Sequence, residues 1–150
     1  VPADCLVCRE VAGEVDLPSG LLVDEPAVVG FHLPPLSENP TPYLGHVLVV
    51  TRRHVARLGD LTPDEAGAVG RATARLAGAL TETGADWVYS AVIGTGVPHF
   101  HLHLLARYPD TPRDVPWHAV DEWEGARRGG AAEIAELSRR LRNTDSLFRS

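Results

Sequence analysis

The chain has 150 residues, 44% of them hydrophobic and 23% charged, with a formal net charge of −6. A chain of this length buries roughly 70% of its unfolded surface and suits one domain. Its acidic balance excludes the basic stripe of a general nucleic-acid-binding surface, and no apolar run approaches the roughly 18 residues that span a membrane.

All 14 basic residues are Arg, which reads first as a coding bias, and a locally positive pocket for a small anion stays open in an acidic chain. The N-terminus, Val1-Pro2-Ala3-Asp4-Cys5, has no basic segment followed by an apolar one, so it is not an intact signal peptide. Cys5 and Cys8 are the 2 cysteines. One pair is too few for the disulfide scaffold of a small secreted domain, so the expected location is cytoplasmic. Their spacing suits a metal knuckle or a redox turn, and Arg9 to Ala12 adds about one helical turn before the break at Gly13.

Leu21 to Asp24 and Ala27 to Phe31 read as short strands joined by the turn Asp24-Glu25-Pro26. Pro34, Pro35, Pro40 and Pro42 then mark a loop around Ser37, Glu38 and Asn39. Gly45-His46 opens Val47-Leu48-Val49-Val50, a continuous apolar strand expected to be buried on both faces; His46 reads as a structural residue at its start. Thr62-Pro63-Asp64-Glu65 has an N-cap, a proline at the first helical position and acids in the first turn. Ala66, Val69, Ala72, Leu76, Ala79 and Leu80 keep helical spacing from there to Thr83, and Gly84 stops the helix. Trp87 to Val92 is a strand, Gly94-Thr95-Gly96 a tight loop, and Gly130 to Arg142 an amphipathic helix. Between them, Trp117, His118 and Trp123 read as residues that pack the domain or a subunit interface, and Arg127-Arg128 as a solvated face. With no repeat or long linker, residues 1–150 form one expected domain, with a core over 5–108 and a variable extension over 109–150.

The chemistry concentrates in Val97-Pro98-His99-Phe100-His101-Leu102-His103-Leu104-Leu105. Strict alternation gives a half-buried strand with three imidazoles on one face and apolar residues on the other. Alternate residues on a strand are about 6.6 Å apart, so His99 and His103 are separated by roughly 13 Å. Three such groups do not share one ion; two neighbours with a third ligand from elsewhere would. The pattern therefore points to a division of labour, and imidazole suits nucleophilic and acid–base work because it is largely neutral at neutral pH.

His99-Phe100-His101-Leu102-His103-Leu104-Leu105 resembles the His-φ-His-φ-His-φ-φ motif of the histidine-triad (HIT) superfamily, where φ is apolar. Cys5/Cys8, the segment Gly45 to Val50 ending at Arg53-His54, and Arg107-Tyr108 follow the order seen in that superfamily. The resemblance implies an α+β fold with an antiparallel sheet of about five strands, one long helix and a C-terminal helix, commonly as a homodimer. It implies a nucleotide hydrolase or nucleotidyl transferase acting on a phosphoric ester, anhydride or phosphoramidate, whose substrate is a small nucleotide or nucleotide conjugate. His101 would attack the α-phosphorus to give a covalent nucleotidyl-histidine, and His103 would assist at the same phosphate or leaving group. Backbone N–H groups around Thr95, Gly96 and Val97 would bind phosphate oxygens, Arg107 would reach phosphate, and Phe31 would line a base pocket. The bacterial zinc-containing type places structural Zn²⁺ on two cysteines and two histidines, which map onto Cys5, Cys8, His54 and His99, a closed tetrahedral set.

Two positions depart from that pattern. Leu33 stands where nucleotide-binding members carry an Asp or Asn for the ribose hydroxyls, and Thr95-Gly96 stands where one branch has Gln-Ser. Two other readings follow: a non-catalytic nucleotide-binding module, and a metal-dependent hydrolase with an open zinc site on the histidine strand. No Asp or Glu lies within that strand to serve the second as a base.

Overall fold

A computed structural model describes residues 2–148. In chain order the elements are α1 (Leu6–Val11), β1 (Val23–Asp24), β2 (Val28–His32), β3 (His46–Thr51), α2 (Pro63–Glu82), β4 (Trp87–Val92), β5 (His101–Arg107) and α3 (Ala131–Arg142). The strands form one antiparallel five-stranded sheet in the order β1-β2-β3-β5-β4, the α+β architecture expected from the sequence. Positions 1, 149 and 150 of the single domain expected over 1–150 lie outside the described residues.

Period-2 alternation separates the two faces of this sheet. Val47 and Val49 of β3, with Leu104 and Ala106 of β5, are buried toward α2 in one cluster that also holds Val28, Ala72 and Leu76. Leu48 and Val50 point the other way, into a second cluster with Cys5, Cys8, Val29 and Phe31. Directly opposed residues share a face, and the register sets Leu48 against His103 and Val50 against His101. The histidines therefore stand on the face away from α2. Gly30 lets that helix approach closely, since a Cβ there would meet Leu76 Cδ1 at 2.7 Å.

Thr62 and Glu65 start α2 with a reciprocal capping box, in which Glu65 N–H donates to Thr62 Oγ1 at 3.1 Å and Thr62 N–H donates to Glu65 Oε2 at 2.9 Å. The extension folds back over the core. Arg75 donates to Leu147 O, Glu82 accepts from Ser146 N–H at 2.9 Å, and Leu137, Leu141 and Leu147 join the α2-side cluster. Among the described residues no helix is long and apolar enough to cross a membrane.

Two strands are shorter than the sequence suggests. Gly20, at φ +60°, turns the chain before Leu21, so β1 keeps only Val23 and Asp24. On the histidine segment, His99 N–H donates to Val97 O at 2.9 Å and Phe100 N–H donates to Val55 O at 2.6 Å. Those bonds take the chain out of the ladder, and β5 begins at His101.

Candidate functional site

The departure from the ladder at Phe100 splits the row of three imidazoles. His99 is fully buried and faces the N-terminal segment, where Sγ of Cys8 and Sγ of Cys5 lie 3.3 and 3.5 Å from its Nδ1. His54 Nδ1 is 3.3 Å from Cys8 Sγ, and the His54 and His99 rings meet edge to face with centroids 5.0 Å apart. One donor atom from each of Cys5, Cys8, His54 and His99 falls within 4.8 Å of all the others. Tetrahedral zinc with its usual bond lengths would hold sulfur and nitrogen about 3.6 Å apart, so the donor set fits that ion.

Each ligand is fixed by its own element. Cys5 caps α1, its Sγ accepting from Cys8 N–H at 3.4 Å. His99 Nε2–H donates to Thr51 O at 2.7 Å, which leaves the Nδ1 lone pair for the cluster. His54 follows Arg53, whose guanidinium forks onto Glu65 through two 2.8 Å bonds and donates to Asp60 O at 3.0 Å. The Arg53 guanidinium, followed by the Thr62 N–H, holds the Glu65 carboxyl down at about 2, so this tether stays charged across the ordinary pH range. Burial and the neighbouring Cys5 push the Cys8 thiol up to about 11.

His101 and His103 stand beside this cluster with ring centroids 4.9 Å apart. His101 Nδ1–H donates to the backbone oxygen of His99 at 2.7 Å, which orients the ring and leaves Nε2 as the nitrogen that can carry a lone pair. His103 Nδ1 lies 2.9 Å from His46 Nε2, one of the two donating. Desolvation, followed by the charge of a protonated His101, lowers His103; desolvation followed by His103, His32 and His101 lowers His46 to about 3. This arrangement favours the neutral forms of His103 and His46 and sets one ring nitrogen of His101 beside a second, oriented ring.

His46 is the residue that local sequence reasoning placed in a structural role. It stands two positions before Leu48, the partner of His103, and so shares the His103 face. His32 is also part of the surroundings: fully buried, it donates through Nδ1 to Leu33 O at 2.9 Å and accepts from Gly45 N–H through Nε2 at 3.0 Å.

The other expected contacts are dispersed. Phe31 is fully buried beside Leu48, its partner across β2 and β3, in the cluster that also holds Val50. Thr95 lines a shallow cavity with Leu58, Val92 and Ile93, whereas Gly96 and Val97 line one beside Cys5 and His54. Arg107 shares the histidine face, but its guanidinium donates to Val115 O at 2.8 Å and Pro112 O at 2.6 Å, so it anchors the extension instead of pointing to an anion. Leu33 is only partly buried and carries no polar group, as its sequence position implied.

The family model for the HIT domain matches residues 36–110, half of the chain. The chain belongs to the HIT domain family. An uncharacterised HIT-like protein of Methanocaldococcus jannaschii is 28% identical over 109 residues, which cover 69% of this chain and 79% of that one. Among solved structures, a zinc-bound histidine triad family protein from Mycobacterium smegmatis aligns with TM-score 0.68 and 22% identity, over 96% of this chain and 93% of that one. A HIT-like protein involved in cell-cycle regulation from Bartonella henselae, carrying an unknown ligand, aligns with TM-score 0.69 and 16% identity, over 95% of this chain and 96% of that one. At those identities the likeness is one of fold; the match of the family model ends at residue 110, before α3.

Proposed function

We propose that this HIT domain protein binds the phosphate of a nucleotide or nucleotide conjugate on the His101–His103 face. In this reading, structural zinc on Cys5, Cys8, His54 and His99 ties the N-terminus to the start of β5. One observation carries it: the His99 carbonyl accepts from His101 Nδ1–H, which leaves Nε2 as the ring nitrogen that can offer a lone pair. The zinc-bound Mycobacterium smegmatis relative supports the metal assignment at the level of the family. When bound, zinc would convert the two thiols to thiolates and cross-link α1 to the loop before β5. Four protein donors leave it no open position, so its part is structural and His101 and His103 lie outside it.

Binding is the more direct inference from this geometry, and a covalent step is its extension. His101 Nε2 would form a bond to the α-phosphorus as the bond to the leaving group breaks, and the leaving group would take up a proton from solvent water beside His103, which the attacking water of the second step returns to solvent. Water would then break the phosphorus–nitrogen bond, releasing the nucleoside monophosphate and restoring the imidazole. An acceptor hydroxyl in place of water makes the same step a transfer. A module that binds nucleotides without turnover is the second reading, favoured by the apolar Leu33 at the ribose position.

Phosphoramidates and dinucleoside polyphosphates of several bases, incubated with the parent protein and His101→Ala, separate the two. Turnover in the parent, its loss by about 10³-fold or more in His101→Ala, and a phosphorus adduct on His101 by mass spectrometry support the covalent step. Calorimetric binding with no turnover in either protein establishes the binding module. Full activity in His101→Ala removes His101 from the chemistry.

A further inference from the structure

We propose that Glu10 reads the base of the bound nucleotide and selects an edge with two adjacent N–H donors, as guanine has; this rests on the nucleotide reading of the His101–His103 face. Glu10 lies in α1 and is 3% exposed, the most deeply buried acid among the described residues. The other buried acid, Glu65, is gripped by Arg53. No hydrogen bond or ion pair from any described residue reaches the Glu10 carboxyl. Arg9, next to it in the helix, turns to Glu14 at 3.5 Å instead. A carboxylate taken out of water without a partner is strongly disfavoured, so this one asks for donors from outside the chain. Its oxygens are reachable. Among the described residues the side-chain atoms both sealed from solvent and unpartnered are Thr73 Oγ1 and Trp123 Nε1, so the Glu10 carboxyl keeps a narrow opening.

The placement of α1 puts this acid on the histidine side of the sheet. Val7 and Cys8 pack in one cluster with Phe31 and Leu48, and Glu10, one turn after Val7, shares their buried side of the helix. Phe31 opposes Leu48 and Leu48 opposes His103, so the three form one cross-strand row. Two strand spacings, about 10 Å, separate the ends of that row, the scale of a nucleoside. Leu33 N–H donates to His46 O at 2.8 Å, which continues the register past β2 and sets Leu33 beside the residue that bonds His103. Leu33 and Leu17 stay partly buried at the rim of the α1 cluster. A nucleoside whose phosphate lies on His101 and His103 thus extends over apolar ground toward α1, where Glu10 is the one acid of the helix.

The acceptor pattern then chooses the base. An ionised carboxylate accepts only, through two parallel oxygens. Guanine presents N1–H and an N–H of its 2-amino group side by side and satisfies both. Adenine and cytosine put one donor beside one acceptor, and uracil sets one donor between two acceptors, so each turns a lone pair toward a carboxylate oxygen. Such a site discriminates sharply, because the wrong ligand leaves the buried group unpaired.

The test is calorimetric binding of GMP, IMP, AMP, CMP and UMP to the zinc-loaded parent protein and to Glu10→Gln. GMP and IMP differ only in the 2-amino group. The parent is expected to bind GMP about tenfold more tightly than IMP, and more tightly than the other three. Glutamine keeps the shape but offers one acceptor and one donor, the pattern that adenine matches. In Glu10→Gln the GMP-to-AMP affinity ratio should therefore fall by about tenfold or more. A purely structural role would weaken all five ligands together and leave that ratio unchanged. The substitution also removes an unpaired buried charge, so Glu10→Gln should melt no lower than the parent. A clear drop would place the carboxyl in a bond within the protein and overturn the proposal. Equal binding of GMP and IMP by the parent, or a preference that survives Glu10→Gln, also overturns it while leaving the nucleotide reading in place. If none of the five monophosphates binds, the nucleotide reading fails and the role of Glu10 with it.

Discussion

A hydrogen bond between two imidazoles has a single donor, so the tautomer of His46 decides which nitrogen of His103 carries its proton. If His46 Nε2–H donates across the 2.9 Å contact, His103 presents Nε2–H to a phosphate oxygen or a leaving group. His46→Leu removes that donor and leaves His103 free to turn; phosphate-ligand affinity or turnover is expected to fall about tenfold, and the His103 ring nitrogens should report a mixed tautomer by NMR. His46→Gln, which offers an amide N–H near the same place, should recover most of the loss. An unchanged His103 spectrum in His46→Leu would remove the positioning role. The reason this role was hidden in the sequence is physical. His99, His101 and His103 announce themselves by local alternation, whereas His46 acquires its meaning only when β3 pairs with β5 across 57 residues. His99 misled in the opposite sense: its spacing promised a common face, and the backbone turn at Val97 to Phe100 sent it to the cysteines.

At the scale of elements, two links hold the site together and each answers to a different perturbation. Cys5 and Cys8 bind a helix of 6 residues, too short to persist without tertiary support. Loss of the metal should therefore release α1 before it disturbs the sheet. Cys8→Ser is expected to lose close to the full zinc content by elemental analysis, to lower the melting temperature by about 10 °C, and to open the segment before Gly13 to proteolysis. Equal zinc in parent and variant would refute the cluster as a metal centre. His32 is the second link, joining β2 to Gly45 at the start of β3. Burial, only partly offset by its bond to Leu33, pulls it down to about 4. It is neutral in the fold but protonated in the unfolded chain below about pH 6.5, so unfolding takes up a proton and stability falls as pH falls. That contribution, of order 3 kcal/mol, is complete above about pH 6.5 and is lost toward pH 4. The stability difference between the parent and His32→Gln, from urea titrations across that range, should shrink accordingly; a pH-independent difference would count against it. These elements were unequally legible. Thr62-Pro63-Asp64-Glu65 and a helical apolar stripe wrote α2 into the chain, and Val47 to Val50 wrote β3. The capping acid Glu65 was visible as a cap, but its second duty, gripping Arg53 beside His54, depends on where the loop before α2 returns.

The whole molecule leaves one side of its sheet unfinished. β4 is the last strand in the order, bonded only to β5, and its sequence Trp-Val-Tyr-Ser-Ala-Val contains no charge or proline of the kind that usually shields a free edge. Trp87 and Ile93, at its two ends, are 63% and 65% exposed. The homodimer expected from the family resemblance would use this edge. Two copies of β4 in antiparallel register would satisfy the open backbone groups and cover both apolar ends, and because edge pairing extends a sheet in its own plane, the His101–His103 face would remain open on each copy. Light scattering should give twice the 16.2 kDa chain mass for the parent at micromolar concentration. The double substitution Val92→Asp and Ile93→Asp sets like charges at that edge and should return the mass to a single chain without changing the zinc content, because the Cys5 cluster lies on α1 and the loop segments outside β4. A parent that runs as a single chain, or a double variant that stays paired, would place any self-association on another surface and leave the β4 edge unassigned.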